Sequence, residues 1–300
     1  MAERLPRAAP IDAAPFAFLA LIGGAIAMGI SPIFVRFAEA GPFTSAFWRV
    51  ALALPALWLW AQLEQRPAGD VRPDASARIS VFLAGLLFAG DLTFWHLAIM
   101  NTSVANATFL ATLAPVWVVL GSGLILGEHV DGKVFLGLAL CLAGAAALIG
   151  GTWSVSPGQI DGDLYGVATS FFFGAYFLAV RRARRAYGSG RTLFLSSVVT
   201  ALVLLAEAVA IEDQTWPLTL AGMAALLALA LVSHAGGQGL LAFALGHLPA
   251  AFSALVIFLE AIAAACFAWL ILGERIGAMQ TLGAVAIFAG IAVARPRQSR

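Results

Sequence analysis

Charge is the scarcest feature of this 300-residue sequence. Asp, Glu, Lys and Arg make up 11% of the residues, whereas an ordinary soluble domain carries about 25%. Hydrophobic residues make up 61%. Because so few charges cannot cover the surface of a water-soluble globule of this length, the composition excludes a conventional soluble protein. It predicts instead that much of the apolar surface faces a lipid bilayer.

Cysteine and concentrated positive charge are lacking as well. Cys141 and Cys266 lie in separate apolar stretches, with no second Cys or His at ligand spacing. The sequence therefore predicts neither a disulfide framework nor a metal site, and we expect no cofactor. The net charge of +1 with only one short basic run argues against a nucleic-acid partner.

Motifs of intramembrane enzymes are missing too. Ser122 precedes a glycine, but Leu120 occupies the position where a rhomboid-like hydrolase needs glycine, and no His-Glu-x-x-His zinc motif occurs. The short loops leave no room for an extramembrane catalytic domain. We therefore expect that the protein is not an enzyme, with an intramembrane enzyme as the minor alternative.

Apolar stretches of about 20 residues are what the sequence does contain, and each is long enough to cross a bilayer. Charges, prolines and glycine clusters separate ten of them. The sequence thus predicts an all-α polytopic membrane protein with ten transmembrane helices. The predicted spans are 16–35, 44–63, 79–100, 103–126, 134–150, 164–180, 192–211, 218–241, 250–272 and 278–294.

Lysine and arginine collect on one side of these spans. If the N-terminus is inside, fourteen of the 17 basic residues fall in inner segments, and only Arg36 and Arg275 fall outside. Since cytoplasmic loops retain positive charge, both termini are predicted to be cytoplasmic. For the basic run at 181–185, this pattern favours a stop-transfer anchor near anionic headgroups over a specific ligand site.

Two segments separated by 146 residues resemble each other. Residues 124–146 and 270–292 share the motif LILGE, a following Leu-Gly pair and a later glycine. The chain is therefore predicted to comprise two five-span repeats, 1–150 and 151–300, with the second inverted because five is odd. Such halves can exchange an inward-open for an outward-open arrangement. This favours a carrier over a channel, for which rings of charge would be expected.

With these motifs the sequence resembles the drug/metabolite transporter superfamily, in particular its EamA-type permeases. These are ten-helix proteins of two repeats whose fourth and ninth helices end in an LxLGE-like motif. The motif lies here at 124–128 and 270–274, with Pro115 in the fourth span and Glu260, not proline, in the aligned region of the ninth. The resemblance covers nearly the whole chain.

This resemblance implies export or exchange of small molecules across a bacterial inner membrane by alternating access. Amino acids are the expected substrates, and the YddG-like aromatic amino-acid exporters are the narrower members that it indicates. The alternative is another metabolite or a drug. The expected partners are thus a small-molecule substrate, the lipid bilayer and, for a coupled carrier, protons.

Two carboxylates inside the spans are candidate substrate-binding residues. A lone charge in the bilayer centre costs at least about 3 kcal/mol, so Glu260 is protonated, paired or facing a wet cavity. It can titrate a proton or bind a substrate amine, or it can form a structural ion pair. Asp91 shares a helical face with Trp95, which suits a substrate with an ammonium group and an apolar side chain. The alternative is that Asp91 bridges helices through hydrogen bonds.

The eighth span places His234 four residues before Gln238 in a glycine-rich stretch. Gly236 and Gly237 can open a kink that exposes carbonyls to the cavity, or they can let a neighbouring helix approach closely. His234 is a candidate proton relay or a packing residue.

Prolines predict bends in the first and fourth spans. Gly29 and Pro32 form a candidate hinge in the first, and Pro115 kinks the fourth. The polar side chains near Pro115 are expected to line a cavity formed by spans 1, 3, 4, 6, 8 and 9. The remaining candidate lining residues are Asn106, Thr112, Trp117 and, in the sixth span, Phe173.

Charged residues near the span ends favour structural interpretations. For Arg36 and Arg49, snorkelling to the outer headgroups or pairing with Glu39 is favoured over an outer gate contact. Glu128 and Glu274 close the repeated motif, and they are interpreted as helix-terminal structural residues.

Overall fold

The computed structural model describes residues 13–64, 74–102, 104–149, 160–217, 219–273 and 275–296. Within these ranges the regular structure is entirely helical. The helices are α1 Ala14–Phe37, α2 Pro42–Leu63, α3 Ala75–Asn101, α4 Ala107–Leu126, α5 Gly132–Ile149, α6 Ile160–Ala183, α7 Ser189–Ile211, α8 Leu220–Leu245, α9 Ala250–Leu272 and α10 Ala278–Ala294.

In the part of the chain that the structure describes, nine helices are long and apolar enough to cross a membrane. The helix α10 is equally apolar in character but has 17 residues. The all-helical membrane architecture is thus confirmed, whereas the count of ten spans and the side of the termini stay predictions.

Several helices extend beyond the apolar stretches that predicted them. The third predicted span begins at residue 79, but α3 begins at Ala75 because the Asp74 carboxylate caps it, accepting a hydrogen bond of 2.7 Å from the Ala77 amide. Apolarity marks the part of a helix that meets lipid, whereas capping groups decide where the helix starts.

The long helices are interrupted near the middle of the bundle. The helix α1 breaks at Ile30, between Gly29 and Pro32, and α4 breaks at residues 112–113, just before Pro115. Since proline lacks the amide hydrogen that an α-helix needs, both breaks follow from the sequence. The helix α9 breaks at residues 257–258, the equivalent place of the second repeat, although no proline is present there.

Two carboxylates hold α2 and α7 side by side. Glu212, at the end of α7, accepts hydrogen bonds from the Phe43 and Thr44 amides at the start of α2 (2.8 and 3.0 Å). Glu64, at the end of α2, accepts a hydrogen bond from the Ser189 amide at the start of α7. Each carboxylate satisfies free amides at a helix N-terminus. The reciprocal contacts make these equivalent helices antiparallel, as an inverted repeat requires.

Glycines let α5 and α10 cross closely. A Cβ atom on Gly144 would lie 2.5 Å from the Gly283 carbonyl oxygen, and one on Gly137 would lie 2.5 Å from that of Gly290. The four glycines form two pairs of equivalent positions in the repeats, Gly137 with Gly283 and Gly144 with Gly290. The pairing again joins equivalent helices of the two halves in antiparallel orientation.

Gly144→Ala is expected to destabilise the protein, because the added methyl group meets a backbone oxygen that cannot move aside. Overpacking of this kind costs typically about 1–3 kcal/mol. Gly132→Ala, in the same helix, is the control, since a Cβ atom there meets nothing within 4 Å. Thermal unfolding of the purified variants measures the effect. Equal melting temperatures for both variants and the wild type would contradict the close crossing.

Candidate functional site

A cavity of about 210 Å³ lies where the helix breaks meet. Pockets for drug-sized ligands enclose roughly 300–1,000 Å³, so this one suits a smaller molecule. Residues from α1, α3, α4, α6, α8 and α9 line it, together with Arg49 from α2. The first six are the helices that the sequence predicted for the cavity.

Three charged side chains from three helices line this cavity: Arg49, Asp91 and Glu260. Asp91 is only 8% exposed. Both carboxylates interact electrostatically with Arg49. Within the described residues, however, the three form no ion pair shorter than 4.0 Å. The cavity therefore brings together one positive and two negative groups that are free to bind a ligand.

Aromatic rings form much of the remaining wall. Phe88, Trp95 and Phe173 line the cavity, and Phe88 packs on Tyr176 with ring centroids 4.8 Å apart. The Tyr176 hydroxyl donates a hydrogen bond of 3.2 Å to the Gln238 side chain, which also lines the cavity. The wall thus offers apolar faces beside the charged groups.

Most of the residues predicted for the site line this cavity, and others lie elsewhere. Thr112 lines it beside Pro115. Trp117 lies outside the lining, and its indole N–H donates a hydrogen bond of 2.9 Å to Ser170. The side chain of Asn106 lies outside the described part of the structure.

His234 lies behind the cavity wall. Its ring stacks on Phe88 with centroids 5.5 Å apart, and its Nε2 atom is 2.9 Å from the Ser197 hydroxyl. It is fully buried and is not among the lining residues. In this position His234 is placed to support the Phe88 ring rather than to contact a ligand in the cavity.

Of the two arrangements that the sequence left open for the glycines of α8, the structure shows the close approach of a neighbouring helix. The kink that exposes carbonyls to the cavity stays a prediction. A π-helix runs over Leu229–Gln238, and a Cβ atom on Gly237 would lie 2.6 Å from the Met28 side chain of α1. The π-helix, a form frequent at functional sites, changes the direction of the side chains that follow it. The close approach brings α1 and α8 together at the cavity.

Arg49 is the main correction to the sequence interpretation. It lies seven residues into α2, about 10 Å along the helix axis, and faces the cavity rather than the headgroups. Glu39 accepts a hydrogen bond from the Thr219 hydroxyl instead, and Arg36 is exposed. The signal that points to Arg49 is the unbalanced negative charge that Asp91 and Glu260 place inside the third and ninth spans.

Glu128 joins three helices at one end of the bundle. Its carboxylate accepts a hydrogen bond from the Arg181 guanidinium, with an Nε to Oε1 distance of 2.7 Å. Its other oxygen accepts one from the Ala250 amide at 2.8 Å. Glu128 thus connects the end of α4 to the end of α6 and the start of α9. Its repeat equivalent, Glu274, lies outside the described residues.

The basic run at the end of α6 binds helix ends, in addition to its role as a membrane anchor, which stays a prediction. Three of its arginines donate hydrogen bonds to carbonyl oxygens at the C-termini of α8 and α4. Arg181 binds the Leu245 carbonyl (2.6 Å), Arg184 that of Ala242 (2.8 Å) and Arg185 that of Leu126 (2.6 Å). We call Glu128, Arg181, Arg184 and Arg185 the arginine cluster.

The cavity opens away from the arginine cluster. Pro32 and Thr108, which line it, are exposed. Towards the cluster, four of the converging helices each place a buried apolar residue within about two turns of a lining residue. These residues are Val118 in α4, Phe177 in α6, Leu245 in α8 and Leu255 in α9, none more than 1% exposed.

Comparisons with known proteins agree with this architecture. The sequence model of the "EamA-like transporter family" matches the chain twice, over residues 15–150 and 160–295. The "Pseudopaline exporter CntI" of Pseudomonas aeruginosa is 27% identical over 219 residues, which cover 73% of this chain and 75% of the exporter. An "Uncharacterized transporter" of Archaeoglobus fulgidus is 27% identical over 277 residues, 89% of this chain and 92% of that protein.

A solved structure has the same fold. It superimposes with a TM-score of 0.79 at 18% sequence identity, covering 93% of this chain and 96% of the other.

Proposed function

From the premise that this chain belongs to the EamA-like transporter family, and is thus a multi-pass membrane transporter, we propose that it exports or exchanges amino acids. The observation that carries the proposal is the cavity itself. It combines carboxylates, a guanidinium and aromatic rings within about 210 Å³. Neutral and aromatic amino acids match this combination best, and related small metabolites share its chemistry.

The carboxylates and the aromatic rings of the cavity recognise different parts of such a substrate. Asp91 and Glu260 attract the ammonium group, and an ammonium group next to an indole such as Trp95 gains a cation–π interaction. Phe88 and Phe173 offer apolar surface to the side chain. A charged ligand that enters this site exchanges its water shell for these fixed groups.

Alternating access between the two repeats is the proposed mechanism. With both termini in the cytoplasm of a bacterium, the open end of the cavity faces outward and the arginine cluster closes the inner end. Rocking of the halves would break the cluster and open the cavity towards the cytoplasm. In the inner membrane this cycle releases a cytoplasmic metabolite outside.

A second candidate is export of another metabolite. The named relative in Pseudomonas aeruginosa is a pseudopaline exporter, which extends the range of cargo to be tested beyond amino acids. Such a cargo would use the same cavity, since the two chains align over most of their length.

Counterflow into proteoliposomes tests the proposal without any assumption about ion coupling. Vesicles preloaded with an unlabelled amino acid are expected to accumulate its labelled form transiently and saturably, with aromatic and neutral members ranking above acidic ones. Protein-free vesicles are the control. If no amino acid exchanges while another small metabolite does, the second candidate replaces the first.

A further inference from the structure

Among the described residues that line the cavity, Arg49 is the single basic one. We propose that Arg49 binds the carboxylate of the substrate, so that the cavity selects molecules with one free carboxylate and one ammonium group. This inference rests on the proposed function, because it takes an amino-acid-like molecule as the occupant. It adds Arg49 as the residue that binds the substrate carboxylate, whereas the sequence analysis placed Arg49 at the lipid headgroups.

Within the part of the chain that the structure describes, the guanidinium of Arg49 keeps a donor without an acceptor. Among the described residues, none accepts a hydrogen bond from its buried Nε atom. Arg49 also lines a small neighbouring pocket whose other residues are mostly apolar, such as Leu92 and Leu229. The two polar side chains there bond elsewhere, Ser45 to the Ala40 carbonyl and His96 to the Leu92 carbonyl. Because a desolvated charged donor is costly when unpaired, a ligand that brings an acceptor is favoured there. A carboxylate fits best, since the planar guanidinium can bind its two oxygens at once.

The charges around Arg49 restrict the ligand further. Asp91 and Glu260 both interact electrostatically with Arg49. A phosphate ester or a dicarboxylate would add two negative charges to a site that already has two carboxylates, which is unfavourable where the dielectric constant is low. A molecule with an ammonium group beside its carboxylate instead supplies a partner for both signs.

A purely structural role for Arg49 would require a partner that holds it in place. Within the described residues, neither carboxylate lies within ion-pair distance of it. A second polar group in the lining is also without a partner there, since the buried Thr169 hydroxyl makes no hydrogen bond. Two lining residues that each keep a buried donor without an acceptor are typical of a site that a polar ligand completes.

Three related compounds test the inference on the full-length protein in detergent, with binding followed by intrinsic tryptophan fluorescence. Phenylalanine carries both charged groups, phenylalaninamide lacks the carboxylate, and 3-phenylpropionate lacks the ammonium group. The wild type is expected to bind phenylalanine at least about tenfold more tightly than either analogue, the effect of losing one charged hydrogen-bonded group. Arg49→Gln is expected to bind phenylalanine and its amide about equally.

Arg36→Gln is the matched control, because Arg36 is exposed and lies outside the cavity lining. It should keep the wild-type ratio of affinities. Equal binding of phenylalanine and its amide by the wild type would overturn the inference and leave the proposed function standing, and this comparison needs no variant to fold. A wild type that binds no amino acid overturns the proposed function and the inference with it.

Discussion

Replacing Glu128 by Gln is expected to open the closed end of the cavity. The carboxylate accepts hydrogen bonds from Arg181 and from the Ala250 amide, and so joins α4 to α6 and α9. Losing one charge-assisted hydrogen bond costs roughly 1.5–3 kcal/mol, which changes the ratio of two conformations by about tenfold or more. The equilibrium should shift towards the conformation in which the arginine cluster is broken.

The accessibility of a cysteine at position 122 measures this shift. Ser122 is fully buried near the end of α4, and Ser122→Cys changes one atom. In a Cys266→Ser background, which removes the exposed native cysteine, a polar maleimide is expected to label Cys at this position at least about tenfold faster when Glu128 is replaced.

Glu212→Gln is the matched control for this experiment. Glu212 also accepts hydrogen bonds from amides at a helix start, those of Phe43 and Thr44, but it joins α7 to α2 at the end of these helices that is far from the arginine cluster. It should lower the melting temperature without faster labelling. If the protein with Glu128→Gln is labelled at position 122 as slowly as the protein that keeps Glu128, the cluster does not control access to the cavity.

The repeat and the helical membrane architecture could be predicted because both depend on local sequence. The motif LILGE ends a helix at both places where it occurs in this chain, and in both copies the glycine adopts a positive φ of 66° or 71°, which favours glycine. What a helix faces depends instead on its rotation, which packing sets and apolar membrane sequences leave open. The broad architecture could therefore be predicted from the sequence, whereas the direction in which individual side chains face could not.

The pairs Asp91/Trp95 and His234/Gln238 show this limit. Both pairs have a spacing of four, which places residues on one face of an α-helix. In α3, which is regular there, both members line the cavity. In α8, whose Leu229–Gln238 segment is a π-helix, Gln238 lines the cavity and His234 lies behind Phe88, so the same spacing gives two different positions. Nothing in the sequence fixes where a π-helix forms.

Arg49 was misplaced for a related reason. Its distance from the start of α2 is within the reach of a snorkelling side chain, and local sequence cannot decide between headgroups and interior. The decisive fact is long-range, because Asp91 and Glu260 from two other helices line the same cavity as Arg49. The capping carboxylates Glu64 and Glu212 likewise act on residues more than 100 positions away.

Removal of either cavity carboxylate is expected to have the largest effect on transport. Asp91→Asn and Glu260→Gln each keep the size of the side chain but remove the charge that attracts an ammonium group. Each should lower the apparent affinity in counterflow by about tenfold to a hundredfold, the range for a lost charged hydrogen bond. Glu207→Gln is the control, because Glu207 is an intramembrane carboxylate outside the lining that accepts a hydrogen bond from Thr93.

The pH dependence of the same variants separates substrate binding from a proton role. Arg49 and Asp91 face Glu260 across the cavity. A protonated Glu260 no longer attracts an ammonium group, so wild-type counterflow is expected to weaken as the medium becomes more acidic. Glu260→Gln should lose that dependence, since an amide does not titrate. A variant with the wild-type rate and pH profile would exclude Glu260 as the proton-exchanging group and leave Asp91 as the remaining carboxylate in the described lining.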